Sequence, residues 1–143
     1  TDRRVLAWMF ALGYQLSYCT DVRHWKSNAE IRAWYAGLSL LQRHVFSRIP
    51  GKRVTYFRHD RAPMLSREGL DRRSGADDGV VGVKFEDVTV AVNLGDVPRT
   101  VGGKRLAPYG WFVSAPGLES SALEGEPPVI AVDGQPRQEV FGI

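Results

Sequence analysis

Hydrophobic and polar residues alternate most regularly between Val80 and Pro116, VVGVKFEDVTVAVNLGDVPRTVGGKRLAPYGWFVSAP. Val81, Val83 and Phe85 fall on one side of an extended chain. Val88, Val90 and Val92 repeat the pattern after Glu86-Asp87, and Tyr109, Trp111 and Val113 do so again after a Gly102-Gly103 turn. A period of two bounded by Gly, Pro and Asp marks half-buried antiparallel strands. Pro108 suits the first position of a strand, where a missing N–H costs least. The stretch predicts a β-meander, the core of a small antiparallel sheet.

Upstream the period lengthens. Leu6, Met9, Phe10 and Gly13 recur at helical spacing, and Val5, Trp8 and Leu12 add a second apolar stripe, so a helix is expected from Val5 to Leu16. A helix apolar on most sides has to be buried on most sides. That requirement, with a first residue other than Met, predicts a longer parent protein that supplies the cover. Gln15 to Asp21 reads as a short extended segment. Ser27-Asn28-Ala29-Glu30 reads as a capping box with Ser27 as the N-cap and Glu30 reaching back to its N–H. Ile31, Trp34, Tyr35, Leu38, Leu41 and Val45 follow at three- and four-residue steps. They predict one amphipathic helix from about Asn28 to Arg48, with Trp34 as a packing anchor and Pro50-Gly51 as the stop.

Beyond it, Lys52 to His59 alternates and is the expected first strand of a β domain. Asp60 to Gly79 and Gly117 to Pro128 read as loops, the former with a short strand near Met64. Val129 to Val132 reads as a strand, Asp133-Gly134 as a two-residue hairpin turn, and Glu139-Val140-Phe141 as the last strand. The expected class is therefore α+β. Two N-terminal helices (residues 1–50) are followed by an antiparallel β-sandwich or partly open barrel (residues 51–143).

Composition narrows the function classes. With 43% apolar and 24% charged residues in 143, the chain is ordinary globular stock. No apolar run approaches the roughly 20 residues that span a bilayer, so no membrane partner is expected. Thr1 to Ser17 imitates a signal peptide, but Trp8, Phe10, Tyr14 and Gln15 and the lack of a small-residue cleavage site speak against one. Cys19 is the sole cysteine, which excludes an intrachain disulfide and a cysteine zinc site. The net charge is +3, yet nine Lys/Arg face three Asp/Glu between Arg43 and Arg73. A basic stretch beside Tyr56 and Phe57 is what a phosphate-tracking surface needs. Asp60, Glu68 and Asp71 interrupt it, however, and no nucleic-acid motif is present, so it reads as a solvated face without a nucleic-acid partner.

Neither cofactor nor metal is expected. His24, His44 and His59 are scattered, Asp77-Asp78-Gly79 lacks EF-hand spacing, and Gly95 and Gly102-Gly103 do not lead from a strand into a helix. No nucleophile elbow surrounds Ser17, Ser39 or Ser114.

Asn93-Leu94-Gly95-Asp96 at one strand end and Leu106-Ala107-Pro108-Tyr109-Gly110-Trp111 opening the next carry a resemblance. Together they look like the C-terminal β domain of (β/α)8-barrel glycoside hydrolases. The motif is made of turn residues and contains no catalytic group. What the resemblance implies is context: residues 1–50 match the last elements of a barrel and residues 51–143 the appended β domain. The partners implied are an upstream barrel domain of the same protein and a carbohydrate.

The acid/base pair of such an enzyme sits on earlier strands, so this chain alone is expected to be inactive and its parent to be the hydrolase. Gln15 to Asp21 would be the final inner strand, whose C-terminal end faces the substrate in a barrel. Tyr18, Asp21, His24 and Trp25 would fringe the sugar site, Tyr18 or Trp25 stacking on a pyranose and Asp21 or His24 binding hydroxyls. Two carboxyl groups about 5–5.5 Å or ~6.5–9.5 Å apart are required for glycoside hydrolysis; Asp21 alone cannot supply them. The competing interpretation of these four residues is a polar loop before a helix. The competing function is a free-standing carbohydrate-binding module, which predicts exposed aromatics on one sheet face, drawn from Tyr56, Tyr109, Trp111 and Phe112.

Overall fold

A computed structural model of the chain describes residues 3–13, 28–60 and 77–142. Among these residues the chain forms helices α1 (Arg3–Leu12) and α2 (Ala29–His44), with a single 3-10 turn at Phe46–Arg48. Nine strands follow: β1 (Val54–His59), β2 (Val80–Phe85), β3 (Val88–Asn93), β4 (Arg99–Val101), β5 (Lys104–Leu106), β6 (Trp111–Ala115), β7 (Leu118–Ser121), β8 (Val129–Val132) and β9 (Gln138–Glu139). The class is α+β. Seven strands make one antiparallel sheet in the order β1-β2-β3-β6-β7-β8-β9, a meander from which the β4–β5 hairpin projects as a second, two-stranded sheet.

The register follows the alternation. Val81 pairs with Val92 and Val83 with Val90, and Val90 pairs in turn with Val113, so one face of β2, β3 and β6 is lined by buried apolar side chains. The helices lie against this face. Leu6, Ala7, Phe10 and Ala11, one stripe of α1, are buried there. The Phe10 ring stacks on Trp111 at 4.6 Å and tilts against Phe46 at 4.7 Å. Leu38 and Leu41 of α2 join the same buried cluster. The sheet of this chain therefore supplies the cover for that stripe of α1, while Val5 and Leu12 on its other side stay exposed.

Several local expectations are corrected. Helix α1 ends at Leu12 because Gly13 adopts a left-handed φ of +69°, and a Cβ there would meet the Phe85 ring at 2.7 Å. Gly13 thus terminates the stripe instead of belonging to it. The N-cap of α2 is Asn28, one residue later than expected: its Oδ1 accepts from the Glu30 N–H (3.0 Å) and the Ile31 N–H (3.2 Å). Asn28→Ala should cost about 1 kcal/mol, read as a lower urea midpoint; an unchanged midpoint would contradict this capping role.

Gly117 to Pro128 is not all loop, because Leu118–Ser121 is strand β7. Its inward position Ser120 is polar but satisfied, accepting from Trp111 Nε1 (3.0 Å) and donating to the Val129 carbonyl (2.9 Å). Pro108 does not open β6. Tyr109 takes φ +54° in a tight turn closed by Gly110 N–H to Ala107 O, and the strand begins at Trp111. The loop between β8 and β9 spans residues 133–137, longer than a two-residue turn.

Val140 and Phe141 leave the sheet after β9 and return to the helices. Phe141 stacks on Trp34 at 4.7 Å, with the Arg3 guanidinium 5.5 Å from its ring centroid. The ring sits where Gly37 has no side chain, and a Cβ there would collide with it. Gly37→Val should therefore expel the tail from α2 and lower the melting temperature by several degrees, as overpacking costs about 1–3 kcal/mol. A valine variant that melts like the parent would show that this contact is dispensable.

Candidate functional site

Tyr18, Asp21, His24 and Trp25, the residues singled out from the sequence, lie outside the described residues, as do the extended segment before them and the region around Met64. The site that the described residues do form is on the opposite face of the sheet from the helices. Residues adjacent along a strand point to opposite faces, so the partners of the buried valines face outward. Arg58 pairs with Gly82, Gly82 with Ala91 and Ala91 with Phe112, forming one cross-strand row, while Tyr56 pairs with Lys84 and Lys84 with Thr89 in the next.

These rows line a groove of about 640 Å³. Gly82 and Ala91 make a low floor. The Tyr56 ring lies over Gly82, 3.8 Å from where a Cβ would be, and Phe112 rises beyond Ala91. Thr100, Val101, Gly102 and Lys104 of the β4–β5 hairpin form the far wall. The hairpin turns tightly because Gly102 and Gly103 both take positive φ (+54° and +77°), which L-residues with a Cβ resist.

The hairpin wall is held by one buried and two half-buried polar side chains. Asn93, fully buried at the end of β3, donates from Nδ2 to the carbonyls of Val97 (2.6 Å) and Ala107 (3.0 Å), and its Oδ1 accepts from the Gly95 N–H (3.0 Å). One side chain thus joins both halves of the turn motif flanking the hairpin. Arg99 at the start of β4 forks onto Asp77, with Nη1 to Oδ1 at 2.7 Å and Nη2 to Oδ2. That hydrogen bond with the carboxylate raises the Arg99 pKa above its ordinary value, outweighing the opposing effect of burial. Gly95 has no Cβ because the Asp77 carboxylate occupies the space, with Cγ 2.8 Å away from the ideal position.

The groove's charge is one-sided. Arg58, Lys84 and Lys104 line it, the Lys104 ammonium 5.0 Å from the Phe112 ring centroid. Among the described residues Asp60 is the one carboxylate in the lining, and its Oδ1 accepts from the Val80 N–H (2.7 Å). Elsewhere several cations are matched with acids: Arg4 with Asp78, Lys52 with Asp87, Arg105 with Glu124. The Lys52 hydrogen bond holds the exposed Asp87 carboxyl below its ordinary pKa.

A second polar cluster lies where α1 meets the ends of β1 and β2. Asp78 is fully buried, with Oδ2 3.3 Å from Arg4 Nη2 and its backbone carbonyl accepting from His59 Nε2 at 2.7 Å. Its Oδ1 has no hydrogen-bond partner among the described residues. No three His, Cys, Asp or Glu side chains among the described residues converge as a metal site would require.

Of the four aromatics expected on an exposed face, Tyr56 and Phe112 border the groove. Trp111 is buried on the helix-facing side, as its neighbour Phe112 requires by parity, and Tyr109 packs half-buried in its turn. What sequence inspection missed was the cationic wall, since Lys104 reaches Phe112 only through the fold of the hairpin. No described helix is long and apolar enough to cross a membrane. No family model, curated protein or solved structure matches the chain.

Proposed function

We propose that this chain is a non-catalytic portion of a glycoside-hydrolase-like protein, in which the β domain stabilises the helices that resemble the end of a barrel. The observation that carries this reading is the use made of the sheet's inner face. Its largest buried side chain, Trp111, is spent on stacking against Phe10 of α1, with Phe46 completing the cluster. Among the described residues the groove on the outer face holds one carboxylate, Asp60, whereas acid/base hydrolysis of a glycoside takes two.

The chain assayed with a panel of aryl glycosides should release no aglycone above the buffer rate. Release that disappears on Asp60→Asn or Asp78→Asn would overturn the non-catalytic assignment. The affiliation itself is tested by the reading frame ahead of Thr1, which should encode alternating strands and helices in frame.

The groove favours a second reading, a carbohydrate-binding module. Two aromatic rings over a glycine and alanine floor offer flat apolar surfaces for the C–H faces of pyranose rings, with polar groups at the margin. Binding of a soluble oligosaccharide by the chain, measured by calorimetry, supports this reading; an absence of heat at millimolar ligand removes it.

A further inference from the structure

We infer that the groove on the outer face of the sheet selects anionic oligosaccharides, those bearing uronate or sulfate groups, over neutral ones. The inference rests on the carbohydrate-binding reading and adds its ligand class. Arg58, Lys84 and Lys104 converge on one groove from β1, β2 and β5, and none forms an ion pair with a described residue. Among the described residues five other cations do have carboxylate partners. Three cations face one described carboxylate, Asp60, which already accepts from the Val80 N–H, and the net positive charge left in the groove is a cost that a bound anion reduces.

The geometry also fits a ring-shaped ligand. Gly82 and Phe112 are two strands apart, so the Tyr56 and Phe112 rings flank a floor about 9–10 Å wide, the reach of a short oligosaccharide. Its volume of about 640 Å³ lies within the range of small-molecule sites. A nucleic acid would be tracked by a longer basic stripe than these three residues provide.

Calorimetric titration of the chain with trigalacturonate, with neutral maltotriose and with an oligothymidylate decides the matter. Trigalacturonate should bind about 10-fold tighter than maltotriose at low salt, and the advantage should shrink as added salt screens the exposed charges. Lys84→Gln and Lys104→Gln should each weaken trigalacturonate by about 2–5-fold, clearly more than they weaken maltotriose. Tyr56→Ala should weaken both sugars. Equal affinity for the two trisaccharides would overturn the anionic preference while leaving the sugar-binding reading in place. No binding of either would sink both. Tighter binding of the oligothymidylate than of trigalacturonate would replace the sugar by a nucleic acid.

Discussion

Trp111→Ala is expected to unfold the helices and the sheet together, at a cost of about 3–5 kcal/mol. The indole is only 1% exposed, stacks on Phe10 at 4.6 Å with 19° between the ring planes, and donates to Ser120. Its removal leaves a cavity at the junction of α1, β6 and β7 and takes away the donor that Ser120 accepts from. A domain of this size is stabilised by about 5–15 kcal/mol in total, so the loss removes a large share of its stability. Urea unfolding followed by circular dichroism at 222 nm and by tryptophan fluorescence should give coincident curves, both shifted to lower urea. Trp111→Phe, which keeps a ring against Phe10 but loses the indole N–H, should cost less than half as much. A helical signal that keeps its midpoint in Trp111→Ala would show that the helices do not depend on the sheet.

Asn93→Leu is expected to be nearly as damaging for a different reason. The leucine is similar in size, but the Gly95 N–H and the Val97 carbonyl lose their partner inside the protein, and the Ala107 carbonyl keeps only the Gly110 N–H. Each buried group left unpaired costs about 1–3 kcal/mol. The damage should also be local. The β4–β5 hairpin is the far wall of the groove, so amide exchange at Gly95 and across Arg99–Leu106 should accelerate more than in β2. On the proposed carbohydrate-binding reading, oligosaccharide affinity should weaken before the chain unfolds.

Asn93→Asp retains the acceptor for Gly95 but places a carboxylate against two carbonyl oxygens. Its carboxyl pKa would be raised in the folded state, so stability is greatest below the unfolded-state pKa and declines as pH rises through the folded one. The variant should therefore recover part of its loss on acidification. Uniform exchange rates in Asn93→Leu, or an Asp variant indifferent to pH, would remove Asn93 from this role.

How much of this could be read from the residues depends on the range of the interaction. Val81, Val83, Val88, Val90, Val92 and Val113 reveal β2, β3 and β6 directly, because a strand exposes its burial pattern every second residue. Gly102-Gly103 likewise states its turn. Leu118–Ser121 does not reveal β7, since its inward Ser120 is polar and is made acceptable only by Trp111 and Val129. Asn93 reads as an ordinary turn residue, yet its three partners include Ala107, fourteen positions away. The stripe of α1 correctly demands a cover, but the sequence cannot say that its own β2, β3 and β6 provide it.

Part of the local order was therefore settled by the chain alone: that two segments are helical, that β2, β3 and β6 alternate, and that Gly102-Gly103 turns. Side-chain period and backbone freedom are properties of neighbours in sequence. Tertiary structure decided which face of the sheet meets the helices, that a buried asparagine holds the hairpin, and that Arg58, Lys84 and Lys104 share one groove with Tyr56 and Phe112. Those features join residues as far apart in the sequence as Phe10 and Trp111. Such contacts exist only after strand pairing has fixed the register, since a shift of one residue would send every groove side chain to the other face.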